Sequence, residues 1–145
     1  MEEVAHHFAG DAAVGLEELR ADVEEGDFAG GGELGEKHAH CMVCNSGFDL
    51  RKPAPVGQFP ANPYGLFDTA GNLEEWVADC YKDSYKGAPV DGTAVDRAGC
   101  RQRVVRGGAF SSGPRGLRAT TRSKFNPNGA NDSLGFRVVR EVDAP

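Results

Sequence analysis

Apolar positions change their period along this chain. Between residues 11 and 25, Val14, Leu16, Leu19 and Val23 form an imperfect helical stripe behind Asp11, a residue suited to capping. Gly26 and then Gly30-Gly31-Gly32 end that stripe as a linker. Residues 1–35 therefore read as an acidic helical arm with a Gly-rich linker, and residues 36–145 as the folded domain. From Lys37 the texture turns to loops, and Pro53, Pro55, Pro60 and Pro63 bar a long helix across 50–65. Leu73, Trp76 and Val77 return at helical spacing, with Glu74 and Glu75 near the start, which predicts a short helix over 68–79 and a core position for Trp76. A turn-rich stretch through Gly87, Pro89, Gly92 and Gly99 follows. Three segments, 103–110, 117–123 and 135–142, alternate Val, Phe, Leu or Thr with Arg, the pattern of antiparallel strands with one wet face. Between the last two lies a loop, 125–133, rich in Asn, Gly and Pro, of the kind that carries binding.

Composition narrows the class. A chain of 145 residues with 39% apolar positions suits one domain with a modest core. No apolar run approaches the ~20 residues needed to span a bilayer, and Met1-Glu2-Glu3-Val4 shows neither the basic nor the apolar region of a signal peptide. The net charge of −6 hides an asymmetry: residues 1–40 hold eleven acidic side chains against two basic ones, Arg20 and Lys37. Nine basic residues fall between Arg101 and Arg140, where Asp132 is the sole acid. The arm is expected to lie near that basic face and screen it. Nucleic acid is not an expected partner, because the arginines alternate with apolar residues and form no aromatic platform.

The most informative residues are Gly65-Leu66-Phe67-Asp68-Thr69-Ala70-Gly71-Asn72-Leu73-Glu74-Glu75-Trp76, followed by Arg106-Gly107-Gly108-Ala109-Phe110, by Leu117 to Ser123, and by Leu134-Gly135-Phe136-Arg137. In this order and spacing the chain resembles the formylglycine-generating enzyme family, also called the sulfatase-modifying-factor family, over roughly residues 36–145. The resemblance implies an α+β, C-type-lectin-like fold, poor in regular structure, with a small antiparallel sheet and long loops. It covers the C-terminal half of the family's domain. In the full domain an N-terminal half packs on this one, so an open strand edge at 135–142 and pairing with another protein chain, a second copy or a larger assembly, are expected.

The resemblance also assigns sites. It implies a structural Ca²⁺ held by the Asp68 carboxylate, the carbonyls of Gly71 and Leu73, and the Glu75 carboxylate, an oxygen set that suits this cation. The alternative is that Asp68 caps the predicted helix and Glu75 pairs with an arginine such as Arg106. Asn45 and Asp49 fall near the family's second calcium site, out of register. A Cys80–Cys100 bridge is implied by the family's habit of placing cysteines on either side of this loop. Cys41 and Cys44, beside His38 and His40, are left open between a second, local disulfide, a zinc site and free thiols. The cysteine pairs favour an extracytoplasmic or periplasmic setting.

Active members of the family oxidise a substrate cysteine with O₂ at a copper ion held by two cysteines. The matching positions here are Pro114 and Ala119, and no cysteine follows Cys100. Thiolates are what select Cu(I), so copper is not expected and no catalytic residue is assigned. A related branch uses iron held by histidines, but His6, His7, His38 and His40 all precede residue 41. The expected function is a non-catalytic binding or structural accessory module, meeting its ligand through residues 113–116 and 125–133. The alternative is a formylglycine-generating oxidoreductase or a related metal-dependent oxidase.

Overall fold

The computed structural model describes residues 36–138, so the helical arm and linker expected over 1–35, and the end of the last expected strand, lie outside the described residues. Four short strands form one sheet: β1, Glu74–Cys80; β2, Arg103–Arg106; β3, Ser123–Phe125; and β4, Leu134–Gly135. Their order is β3-β2-β1-β4. β2 pairs antiparallel with both β1 and β3, whereas β4 runs parallel to β1, making the sheet mixed. One 3₁₀ turn, Pro114–Leu117, is the only helical element among the described residues, and Pro114 opens it where a missing N–H costs nothing.

β1 stands where the spacing of Leu73, Trp76 and Val77 predicted a helix. Asp68, Gly71 and Asn72 have φ of 56°, 79° and 63°, left-handed values that an α-helix cannot absorb. Pairing Trp76 with Val105 and Glu75 with Arg106 then gives the backbone its hydrogen-bond partners in a sheet, where Trp and Val are at home. Trp76 is half-buried and meets Phe125 edge-on at 6.0 Å. The other strands are shorter than their alternation suggests. β2 stops at Arg106 because Gly107 and Gly108 turn to φ of 90° and 71°. Within 117–123 only Ser123 enters a strand, since Leu117 ends the 3₁₀ turn.

The core is small. Ala39, Cys41, Cys44 and Leu117 form one buried cluster with Ala70 against it, and Val104, Val105 and Phe110 are buried nearby. Loops make up the remainder and need other ties. The long loop after β1 is closed by a Cys80–Cys100 disulfide and by Cys80 N–H to Val95 O (2.8 Å), Tyr81 N–H to Gln102 O (2.8 Å) and Val95 N–H to Asp79 Oδ1 (2.9 Å). Among the described residues no helix is long and apolar enough to cross a membrane.

Candidate functional site

The turn from Asp68 to Glu75 is shaped by three backbone contacts. Gly71 N–H donates to Gly107 O at 2.8 Å, and a Cβ at Gly71 would fall 2.5 Å from His40 O, so only glycine fits there. Asn72 N–H donates to His40 O, and Asn72 O accepts from Phe110 N–H, each at 2.8 Å. The Asn72 side chain, 3% exposed, takes the Ala54 N–H on Oδ1 (2.9 Å) and gives Nδ2–H to Ala54 O (3.2 Å). Through both its backbone and its amide, Asn72 joins segments around residues 40, 54 and 110.

The four residues expected to hold Ca²⁺ lie on this turn. Asp68 Oδ2 accepts the Gly57 N–H at 2.7 Å, while Oδ1 is buried without a hydrogen-bond partner among the described residues. Glu75 faces Arg137, not Arg106: Nε reaches Oε2 at 2.8 Å and Nη2 reaches Oε1 at 2.7 Å. Arg137 Nη2 also donates to Phe67 O at 2.8 Å, so one guanidinium ties the residue before Asp68 to the carboxylate that closes the turn. A carboxylate has about four lone-pair sites, so a two-pronged arginine leaves capacity on Glu75. The set is chemically suited to a hard, oxygen-seeking cation, with Asp68 Oδ1 as the acceptor still lacking a partner. No three His, Cys, Asp or Glu side chains converge among the described residues, so such a cation would depend on the carbonyls of Gly71 and Leu73. Asp49 is engaged elsewhere: its hydrogen bonds with Arg51 hold its carboxyl below the usual range.

The structure bridges Cys41 to Cys44 as well as Cys80 to Cys100, leaving no free cysteine. The first pair is at most 1% exposed. His40 beside it is fully buried, with Nδ1 2.7 Å from Ser46 Oγ and Nε2 3.0 Å from Lys52 O. A carbonyl only accepts, so Nε2 donates to Lys52 O, and Nδ1 shares its hydrogen bond with the Ser46 hydroxyl. With its ring stacked against Phe110 and edge-on to Phe48, His40 is committed to packing.

A feature without any motif lies where the stapled loop folds over the sheet. Arg122 sits just before β3, its Cζ 4.0 Å over the Tyr85 ring and 5.3 Å from the Tyr81 ring, and its Nη1 donates to Lys82 O at 3.0 Å. Lys124 Nζ lies 4.7 Å over Tyr81, and Arg106 Nη1 donates to Tyr85 Oη at 3.1 Å. Val77, Val95 and Val104 line the same shallow cleft, which opens to solvent.

Residues 17–142 match the family described as the sulfatase-modifying factor enzyme 1-like domain. The chain belongs to this family. Among its relatives are a serine/threonine-protein kinase pkn1 of Chlamydia caviae, 41% identical over 90 residues (61% of this chain, 15% of that protein), and a formylglycine-generating enzyme of Streptomyces coelicolor, 33% identical over 96 residues (62% and 30%). The solved structure of PvdO from Pseudomonas aeruginosa superposes with a TM-score of 0.67 at 32% identity, covering 84% of this chain and 49% of that one. The chain thus spans half or less of each of these relatives.

Where the family's copper-dependent members are expected to carry their cysteine pair, this member of the sulfatase-modifying-factor family has Pro114 opening the 3₁₀ turn and Ala119, whose carbonyl accepts from Arg106 Nη2. The 125–133 loop is ordered by its own asparagines: Asn126 Oδ1 accepts from Asn128 N–H and Asn131 Oδ1 from Ser133 N–H, each at 2.9 Å. Pattern reasoning missed Asn72, whose role comes from three distant segments, and the Arg122–tyrosine cluster. The basic density between 101 and 140 was the one available signal for the latter.

Proposed function

We propose that this chain is a binding or structural module on the sulfatase-modifying-factor scaffold and does not itself carry out the family's cysteine oxidation. One observation carries the reading: all four cysteines are paired in disulfides, and none lies after Cys100. A Cu(I) centre needs soft ligands, and Pro114 and Ala119 supply none. The module is further proposed to carry a structural Ca²⁺ on Asp68, Gly71, Leu73 and Glu75, supported by the lone Asp68 Oδ1. It is also proposed to meet another protein chain beside β4, where Phe136 and Val138 are 58% and 42% exposed.

The decisive experiment is incubation of the chain with Cu(I), O₂ and a Cys-x-Pro-x-Arg peptide. The peptide mass is expected to stay unchanged, and a turnover-dependent loss of thiol mass would overturn the reading. That opposite outcome, formylglycine formation, is the second reading. The identity shared with the Streptomyces coelicolor enzyme favours it.

A further inference from the structure

We propose that the cleft between the Cys80–Cys100 loop and the sheet is a binding site for a small organic oxyanion, a phosphate or carboxylate joined to a flat apolar body. The case starts with charge. Lys82, Arg106 and Arg122 line the cleft and Lys124 stands beside it, whereas Asp79 is its one acidic lining residue. Asp79 already accepts the Val95 N–H through Oδ1. None of these four cations has a carboxylate within ion-pairing distance among the described residues; the ion pairs that form are Arg51–Asp49, Arg103–Asp96 and Arg137–Glu75. Gathering unneutralised cations in a half-enclosed cleft raises its positive potential and attracts anions.

The geometry then favours a specific pose. A guanidinium has five N–H donors, and at Arg122 Nη1 alone has a protein acceptor among the described residues, Lys82 O. Arg122 therefore enters the cleft with most of its donors unspent, on the one side chain type whose planar fork matches an oxyanion with two parallel bonds. Tyr81 and Tyr85 hold the guanidinium by cation–π contact, which fixes its position before any ligand arrives and lowers the entropic cost of binding. The Tyr85 hydroxyl accepts from Arg106, aligning a second cation on the same wall. Beside these cations the lining is apolar, with Val77, Val95 and Val104 facing a shallow, open cleft on which a flat apolar group could rest. A bare inorganic ion would leave that apolar lining unused. The disulfide closes the loop that supplies both tyrosines, so it preserves the site as well as the fold.

This proposal deepens the binding reading above, yet the two fail separately. Peptide oxidation would sink that reading without touching the cleft, and a cleft that ignores anions would leave the missing thiolate pair as it is.

The test is an amide NMR titration of the full chain with phenyl phosphate and with benzoate, with benzyl alcohol and inorganic phosphate as comparators. Either aromatic anion should produce saturable shifts confined to residues 81–88, 104–106 and 122–124, with Kd of about 1 mM or tighter. Whichever of the two binds better names the oxyanion. Benzyl alcohol should give none and inorganic phosphate weaker ones. Arg122→Gln should weaken binding at least about tenfold, and if that variant loses its dispersed spectrum, Lys124→Gln on the exposed rim should still weaken it several-fold. Scattered or non-saturating shifts, equal binding of benzyl alcohol, or affinity unchanged in a folded Arg122→Gln or in Lys124→Gln would each overturn the proposal.

Discussion

Arg137 grips Glu75 with two parallel hydrogen bonds, 2.7 and 2.8 Å long, across 62 residues of sequence. Both side chains are largely covered, 15% and 26% exposed, so solvent screens the pair less than a surface bridge. The link matters because β4 is only two residues long and pairs with β1 at just Glu74 and Glu75. Glu75→Ala should lower the unfolding free energy by about 2 kcal/mol, since it removes the carboxylate that neutralises a largely covered guanidinium. Arg137→Ala should cost more, as it also frees the Phe67 carbonyl. Urea unfolding of both variants and the double variant checks this. The double should be less destabilised than the two singles combined, and strict additivity would deny the coupling.

How far the sequence carries depends on the range of the interaction that decides each element. Family and scaffold were legible because their motifs are contiguous, and the Cys80–Cys100 bridge was legible through that resemblance. The 68–79 segment departs from its helical period because Gly71 packs against the carbonyl of His40, a distant residue, 2.5 Å from where a Cβ would stand, and takes a left-handed φ there. Likewise the alternative to calcium paired Glu75 with an arginine such as Arg106, its cross-strand neighbour; an arginine does pair with it, but Arg137 approaches from the end of the domain and Arg106 turns to Ala119 and Tyr85. The Arg122–tyrosine cluster joins residues forty apart and leaves no local pattern.

Calcium is testable through Asp68. Its Oδ1 is a buried acceptor lacking a partner, and burying such an atom costs free energy that a cation would offset. Chelator should lower the melting temperature by roughly 10 °C or more, because a ligand at about 100 times its Kd contributes about 2.7 kcal/mol. Asp68→Asn keeps the acceptor for Gly57 but removes the charge, and should abolish the chelator effect. Identical melting curves with and without EDTA in the unaltered chain would exclude the site.

The two disulfides should contribute unequally through chain entropy. Cys80–Cys100 spans 20 positions and Cys41–Cys44 only 3, which gives about 3 against about 2 kcal/mol. Access reverses the order of reduction. Cys41 and Cys44 are at most 1% exposed and Cys100 is partly open, so mild reductant should release the Cys80–Cys100 pair first. Unreduced peptide mapping should show both links, and timed alkylation should show the order. Finding Cys41 and Cys44 alkylated first would mean that the core around Ala39 and Leu117 opens before the loop does.

Asn72 makes the sharpest demand on a single side chain. Its amide copies a backbone pair, satisfying both the N–H and the carbonyl of Ala54 inside the protein, and its φ of 63° is one that asparagine tolerates better than most residues. Asn72→Ala would leave two buried backbone groups without partners and keep the strained backbone, at a cost of about 3 kcal/mol or more. Asn72→Asp keeps an acceptor for the Ala54 N–H but offers nothing to its carbonyl and introduces a buried charge, so it should be no better than alanine. Asn72→Gly relieves the backbone and loses only the amide, and should fall between the original residue and alanine. This order, Asn above Gly above Ala, is measurable by urea midpoints. If Gly and Ala proved equal, the backbone conformation would contribute nothing, and the amide alone would explain why the turn needs asparagine.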